Sequence, residues 1–182
     1  LWLAQNRLGI SAYLSLLDRD THLTMPHLYM LEPYNPDKKV IVLVHGLASS
    51  PEAWIGLTND IMGDSVLREH YQVWQIFYST NMPILESRFQ IYALLNQSFA
   101  QVDQNAAAKH EAVLIGHSMG GIISRLLVSH DDITQDTLKL VKSRQLKRMG
   151  DINMINARLQ MKPIDNFSRA IFISSPHRGT AY

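Results

Sequence analysis

Residues 112–125 read AVLIGHSMGGIISR. Ala112-Val113-Leu114-Ile115 is a short apolar run rich in β-formers, the pattern of a parallel strand buried on both faces. Gly116-His117-Ser118-Met119-Gly120 then fits Gly-x-Ser-x-Gly, and Ile122, Ile123, Leu126 and Leu127 recur at helical spacing. Strand, sharp turn and helix form the context in which this pentapeptide carries chemistry. The turn forces Ser118 into a strained backbone. Small residues two before and two after it let strand and helix approach. The hydroxyl is left exposed at the sheet edge, above a helix N-terminus that favours negative charge. Since glycine is about 7% of residues, the bare pentapeptide would arise by chance in roughly one chain in twenty of this length. The weight therefore rests on what surrounds it.

Working outward, Val40-Ile41-Val42-Leu43-Val44 is the clearest buried strand, and it runs straight into His45-Gly46-Leu47-Ala48-Ser49-Ser50. Pro51 suits a first helical position with Ser50 as N-cap, and the helix is expected to run past Trp54, Leu57 and Ile61 to Gly63. Residues 28–31 read as an edge strand and 71–78 (YQVWQIFY) as a further strand. Residues 83–103 are the best amphipathic helix, with Ile84, Arg88, Ile91, Leu95, Phe99 and Val102 along one face. The elbow helix should end near His130. Residues 131–166 break the alternation. They are polar, have no strand-like run, and include a basic stretch at 138–149 with an apolar stripe beside it. Residues 169–174 (RAIFIS) return to a buried strand, which leads into Ser175-Pro176-His177-Arg178-Gly179. Residues 1–30 are expected to form an N-terminal extension, helical over 1–17, where Leu3, Leu8, Tyr13, Leu14 and Leu17 give an imperfect apolar face. The alternation of strands and crossover helices predicts an α/β fold: one domain over 1–182, with a doubly wound, mostly parallel sheet and a cap or lid insertion near 131–166.

Apolar residues at 46% and charged residues at 18% make a chain that can bury a core. A net charge of +1 argues against a dedicated nucleic-acid binder. With no cysteine, disulfides and thiolate metal sites are excluded. The eight histidines are scattered, with no metal-ligand spacing among them, and no metal or cofactor is expected. A nucleotide-binding reading fails because the glycine spacing is not Gly-x-Gly-x-x-Gly and no Lys-Ser/Thr pair follows.

Three features carry a family resemblance: the strand running into His45-Gly46-Leu47, the elbow Gly116-His117-Ser118-Met119-Gly120-Gly121, and the strand ending in Ser174-Ser175-Pro176-His177-Arg178-Gly179. In order and spacing the chain resembles the bacterial lipase and esterase branch of the α/β-hydrolase superfamily. It is also similar to GPI inositol-deacylase-like hydrolases. The resemblance implies Ser118 as nucleophile, with the backbone N–H groups of Leu47 and Met119 as the oxyanion hole. It places His45, Gly46, His117 and His177 around the site, with His177 beside it rather than acting as base. The acid and base of such enzymes follow the nucleophile on later strands. No convincing position for either follows Ser118 here, so both are expected beyond Tyr182. Asp151 and Asp165 read as solvated loop acids.

The resemblance thus implies a serine hydrolase that cleaves carboxylic esters, in particular lipid acyl esters, through an acyl-enzyme. The basic stretch 138–149 suits contact with a membrane surface, and relatives of this kind are often secreted or envelope-associated. The alternative from another class is a non-catalytic binding module that keeps the fold without a complete triad.

Overall fold

The computed structural model describes residues 25–135 and 152–179. The N-terminal helix expected over 1–17 and the basic stretch 138–149 lie outside them. The elements run β1 (His27–Met30), β2 (Lys39–Val44), a 3-10 turn (Pro51–Trp54), α1 (Ile55–Gly63), α2 (Ser65–His70), β3 (Tyr71–Phe77) and α3 (Ile84–Ala100). After a short 3-10 turn at Ala107–Lys109 come β4 (Ala112–His117), α4 (Met119–Leu127), β5 (Asp131–Asp132), α5 (Ile152–Leu159), β6 (Gln160–Met161) and β7 (Phe167–Ile173).

Five strands form the main sheet in the order β1-β3-β2-β4-β7. All neighbours are parallel except β1, which pairs antiparallel with β3 at the edge. The continuous apolar run of β2 is explained by burial on both faces. Val40, Val42 and Val44 pack with Ile91, Leu95 and Phe99 of α3 and with Ile123 and Leu127 of α4. Ile41 and Leu43 pack on the opposite face with Trp54, Ile61, Val73 and Ile115. Helices on both faces make the sheet doubly wound, as the alternation predicted. Two buried glutamines tie β3 to its surroundings. Gln72 donates to the Lys38 carbonyl (2.7 Å), and Gln75 donates to Thr58 Oγ1 (3.1 Å).

The expected elements differ from the observed ones in five places. The strand expected to be buried at 169–174 is β7, the last in the order of the described sheet, and its Ile171, Phe172 and Ile173 are exposed. Residues 51–63 are not one helix: the chain turns through a 3-10 segment before α1. Ser50 does not cap it with its side chain, because its hydroxyl donates to the Glu52 carboxylate instead. The elbow helix stops at Leu127 rather than near His130. The segment 131–166 does hold strands: β5 and β6 pair antiparallel as two-residue ribbons too short to show in a hydrophobic pattern. Helix α2 also had no apolar periodicity to announce it. It is capped by Asp64, whose carboxylate accepts from Val66 and Leu67 N–H at 2.9 Å each.

Arg88 lies on the buried face of α3 as the helical pattern placed it, 1% exposed. Its guanidinium stacks over Tyr92 at 4.4 Å. Nε donates to the Leu126 carbonyl (3.3 Å) and Nη2 to the Lys162 carbonyl (2.9 Å). One side chain therefore ties the last turn of α4 to the segment returning toward β7. Beside it Arg158 of α5 pairs with Glu86, which holds that carboxyl below its ordinary pKa, and stacks over Phe89 at 4.3 Å. Truncating a buried side chain that packs on Tyr92 and donates to two backbone carbonyls is costly, so Arg88→Ala is expected to destabilise the fold by about 3 kcal/mol in urea unfolding. Arg88→Met keeps the stem's packing, and full stability in that variant would show that the hydrogen bonds contribute nothing.

Candidate active site

The sheet order decides where a site can form. The crossover from β2 moves one way along the sheet to β3, and the crossovers from β3 and β4 move the other way. With crossovers of one hand, this reversal sends the helices after β2 and β4 to opposite faces. The carboxyl ends of these two adjacent strands therefore open into a crevice, the place where open α/β sheets bind ligands. The loop His45-Gly46-Leu47-Ala48 leaves one strand there, and Ser118 leaves the other.

Ser118 has φ 52° and ψ −123°, a region that costs a non-glycine residue of order 1–3 kcal/mol. Both of its backbone polar groups are engaged. Its N–H donates to the Ile173 carbonyl (2.9 Å), and its carbonyl accepts from Gly121 (3.0 Å) and Ile122 (3.4 Å). The glycines around it are packing requirements. A Cβ on Gly116 would lie 2.5 Å from the Gly120 carbonyl oxygen, and one on Gly120 would lie 2.3 Å from both the Val44 and His45 carbonyl oxygens. The first turn of α4 is thus set directly on the end of β2. Across the crevice, a Cβ on Gly46 would lie 3.0 Å from Ser118 Cβ and 3.3 Å from His117 Nδ1.

Gly46, His117, Ser118 and Met119 are therefore drawn together with the loop that carries Leu47. Ala48, at φ 52°, turns that loop, and its N–H donates to Thr80 Oγ1 (3.3 Å). The backbone N–H groups of Leu47 and Met119 have no hydrogen-bond partner among the described residues. The Leu47 side chain is exposed. Nor does any described side chain hydrogen-bond Ser118 Oγ, and the residue is half-buried.

His45 lies fully buried beneath the loop, stacked on Tyr78 with ring centroids 4.5 Å apart. Its Nδ1–H donates to the Gly46 carbonyl (3.0 Å), and the Tyr78 N–H donates to its Nε2 (3.4 Å). A carbonyl at one nitrogen and a donor at the other select the neutral Nδ1–H tautomer. Tyr78 closes the arrangement, its hydroxyl donating to the His45 carbonyl at 2.8 Å. Burial pulls the His45 pKa down to about 4 from 6.5. The folded state thus binds its proton less readily than the unfolded chain. The contribution is complete above pH 6.5 and is lost as the pH falls toward 4, amounting to about 3 kcal/mol. Urea unfolding at pH 7 and pH 4 should show the wild type losing about that much more stability than His45→Gln. Equal losses would mean His45 titrates normally.

His117 is half-buried, with its ring edge-on to Trp54 at 6.3 Å. Together with His45, Ala53 and Trp54 it lines a small cavity of about 140 Å³. His177 is exposed, packs edge-on against Phe172 at 5.0 Å, and makes no hydrogen bond to Ser118. Asp165 sits in the turn before β7. Because β7 runs parallel to β4, that turn is a strand's length from Ser118, while Asp151 lies outside the described residues. Trp54, Tyr78, Thr80 and Ile173 were not singled out as site residues. No sequence spacing links them to Ser118, and only the fold brings them there. Among the described residues no cluster of three His, Asp or Glu side chains is placed to hold a metal ion, and no helix is long and apolar enough to cross a membrane.

No curated protein matches the chain in sequence. Among solved structures the fold is similar to the mature form of the Bacillus licheniformis lipase BlEst2. The two share 20% identity and a TM-score of 0.51 over 84% of this chain and 48% of that one. It is also similar to Thermogutta terrifontis esterase 2 phosphonylated by cyclosarin, with 12% identity and a TM-score of 0.50 over 82% of this chain and 50% of that one. The chain spans about half the length of these structures. At such identities they establish the fold alone. Residues 35–143, which include β2, the His45-Gly46-Leu47 loop and the Ser118 elbow, match the family described as PGAP1-like alpha/beta domain. With that match covering more than half of its length, the chain belongs to the PGAP1-like alpha/beta domain family, within the α/β-hydrolase superfamily.

Proposed function

We propose that this α/β hydrolase cleaves carboxylic esters, lipid acyl esters in particular, with Ser118 as its nucleophile. One observation carries the reading: a non-glycine residue held at φ 52° in the switch-point crevice, beside two backbone N–H groups with no hydrogen-bond partner among the described residues. Ser118 Oγ attacks the acyl carbonyl, and the carbonyl π pair moves onto its oxygen. The Leu47 and Met119 N–H groups receive that oxyanion. The Ser118 proton passes to a histidine base oriented by a carboxylate, neither of which hydrogen-bonds Ser118 among the described residues. The base returns the proton to the departing alcohol, and water then releases the acid from the acyl-enzyme.

His45, His117 and His177 act around this centre rather than in it. His45 supports the Gly46-Leu47 peptide from below, and His117 packs behind Ser118. The lipid preference is supported by the lipase and esterase names of the structural neighbours and by the segment 131–166, which we assign as a cap. Its basic stretch would meet anionic headgroups.

The second reading is a binding module that keeps the elbow but lacks a working base. It is favoured by Ser118 Oγ having no described histidine or carboxylate within hydrogen-bonding distance. Intact-mass spectrometry after fluorophosphonate treatment separates the two. One adduct mapping to Ser118, with turnover of p-nitrophenyl acyl esters, is the expected result. An unlabelled protein with no turnover would replace the hydrolase reading with the binding module.

A further inference from the structure

The motif at the end of β7 has no part in the chemistry above, yet it is built onto the elbow. The ladder between β4 and β7 pairs His117 with Ile173. One step further, the Ile173 carbonyl accepts the N–H of Ser118 at 2.9 Å. Ser174 then adopts φ 48°, again strained for a non-glycine residue, and this turns the chain back over the first turn of α4. The turn delivers Ser175. Its Oγ donates to the same Ile173 carbonyl at 3.3 Å, and it occupies the space beside Gly121 so closely that a Cβ on Gly121 would lie 1.7 Å from Ser175 Oγ and 2.7 Å from Ser175 Cβ.

We infer that Ser175 is a positioning residue for the Ser118 nucleophile. A carbonyl has two lone pairs, and two donors on it fix its direction better than one. The carbonyl in question is the one partner of the Ser118 N–H among the described residues. The same side chain also buttresses Gly121, whose N–H holds the Ser118 carbonyl from the helix side. Ser175 thus restrains both peptide groups that keep Ser118 in its strained conformation, without itself touching the reacting atoms. Strain of this kind persists only where the surroundings over-determine it, and Ser175 is one of the groups that do so. A misdirected hydroxyl reacts slowly even in an intact fold.

The inference rests on Ser118 being a nucleophile, and the test separates the two. Fluorophosphonate labelling rates and thermal unfolding are measured for wild type, Ser175→Ala, Gly121→Ala and the double variant Gly121→Ala with Ser175→Gly. Ser175→Ala should label about fivefold more slowly, the effect of one neutral hydrogen bond. Gly121→Ala should lower Tm by about 5 °C through the clash with Ser175. The double variant, which moves the side chain from one side of the contact to the other, should recover most of that Tm while labelling stays slow, because the hydroxyl is still missing. Equal labelling of wild type and Ser175→Ala would overturn the positioning role and leave the nucleophile in place. Labelling restored to the wild-type rate in the double variant would reduce Ser175 to a packing residue and overturn it as well. Absence of labelling in the wild type would overturn the nucleophile reading and this role with it.

Discussion

Replacing Ser118 by glycine should abolish fluorophosphonate labelling and ester turnover while making the protein more stable. The two effects share one cause. The elbow holds residue 118 at φ 52°, ψ −123°, where an L-side chain is strained and glycine is not. Removing the side chain should therefore return about 1 kcal/mol in urea unfolding. It also removes the attacking oxygen, and loss of the serine from a complete triad costs about 10⁶ in kcat. Ser118→Ala provides the control, with the same loss of reaction and no relief of strain. A glycine variant that is less stable than wild type would mean that the positive φ is comfortable there and that the strain has been misjudged. A variant that still labels would mean that another residue reacts.

Gly120→Ala should give the second largest effect, on stability first. The added carbon would meet the carbonyl oxygens of Val44 and His45 at 2.3 Å. Both belong to the backbone at the end of β2, so neither can move aside as a flexible side chain would. Either the first turn of α4 lifts off or the end of β2, with the His45-Gly46 peptide, is pushed away from it. Overpacking against backbone at such a distance should cost about 3 kcal/mol. It should also slow labelling of Ser118 in whatever fraction stays folded, since the clash displaces one N–H of the proposed oxyanion hole relative to the other. Gly56, where an added Cβ would meet nothing within 4 Å, is the matched control and should tolerate alanine. Equal stability of the two variants would show that the elbow is looser than these distances imply.

Three central strands were legible because burial on both faces leaves a plain mark in sequence. VIVLV, YQVWQIF and AVLI admit no polar residue except glutamines that find internal partners. The long face of α3 was equally plain, Arg88 included. What failed to register was local and polar. Ser50 found Glu52 rather than a helix N–H, α2 depends on the Asp64 cap rather than on apolar periodicity, and β5 and β6 are each two residues long. Hydrogen bonds of this kind depend on which partner comes within reach, and no hydrophobic period reports that.

The elbow belongs to the legible class. Glycine on both sides of a serine, between an apolar strand and an amphipathic helix, dictates a tight strand-to-helix turn, because only missing side chains let the two backbones meet. Sequence alone thus determined the strands of the main sheet, the doubly wound arrangement and the position of Ser118. The tertiary structure decided which residues share its crevice. The Leu47 loop faces Ser118 because the order β1-β3-β2-β4-β7 makes β2 and β4 neighbours whose helices depart to opposite faces. Ile173 and Ser175 reach it because β7 adds to the far side of β4 in matching register. His177 and Asp165, close in sequence to that strand, end up on Phe172 and at its opposite end. Separation along the chain is blind to strand order and register, and here those two quantities choose the neighbours of the serine.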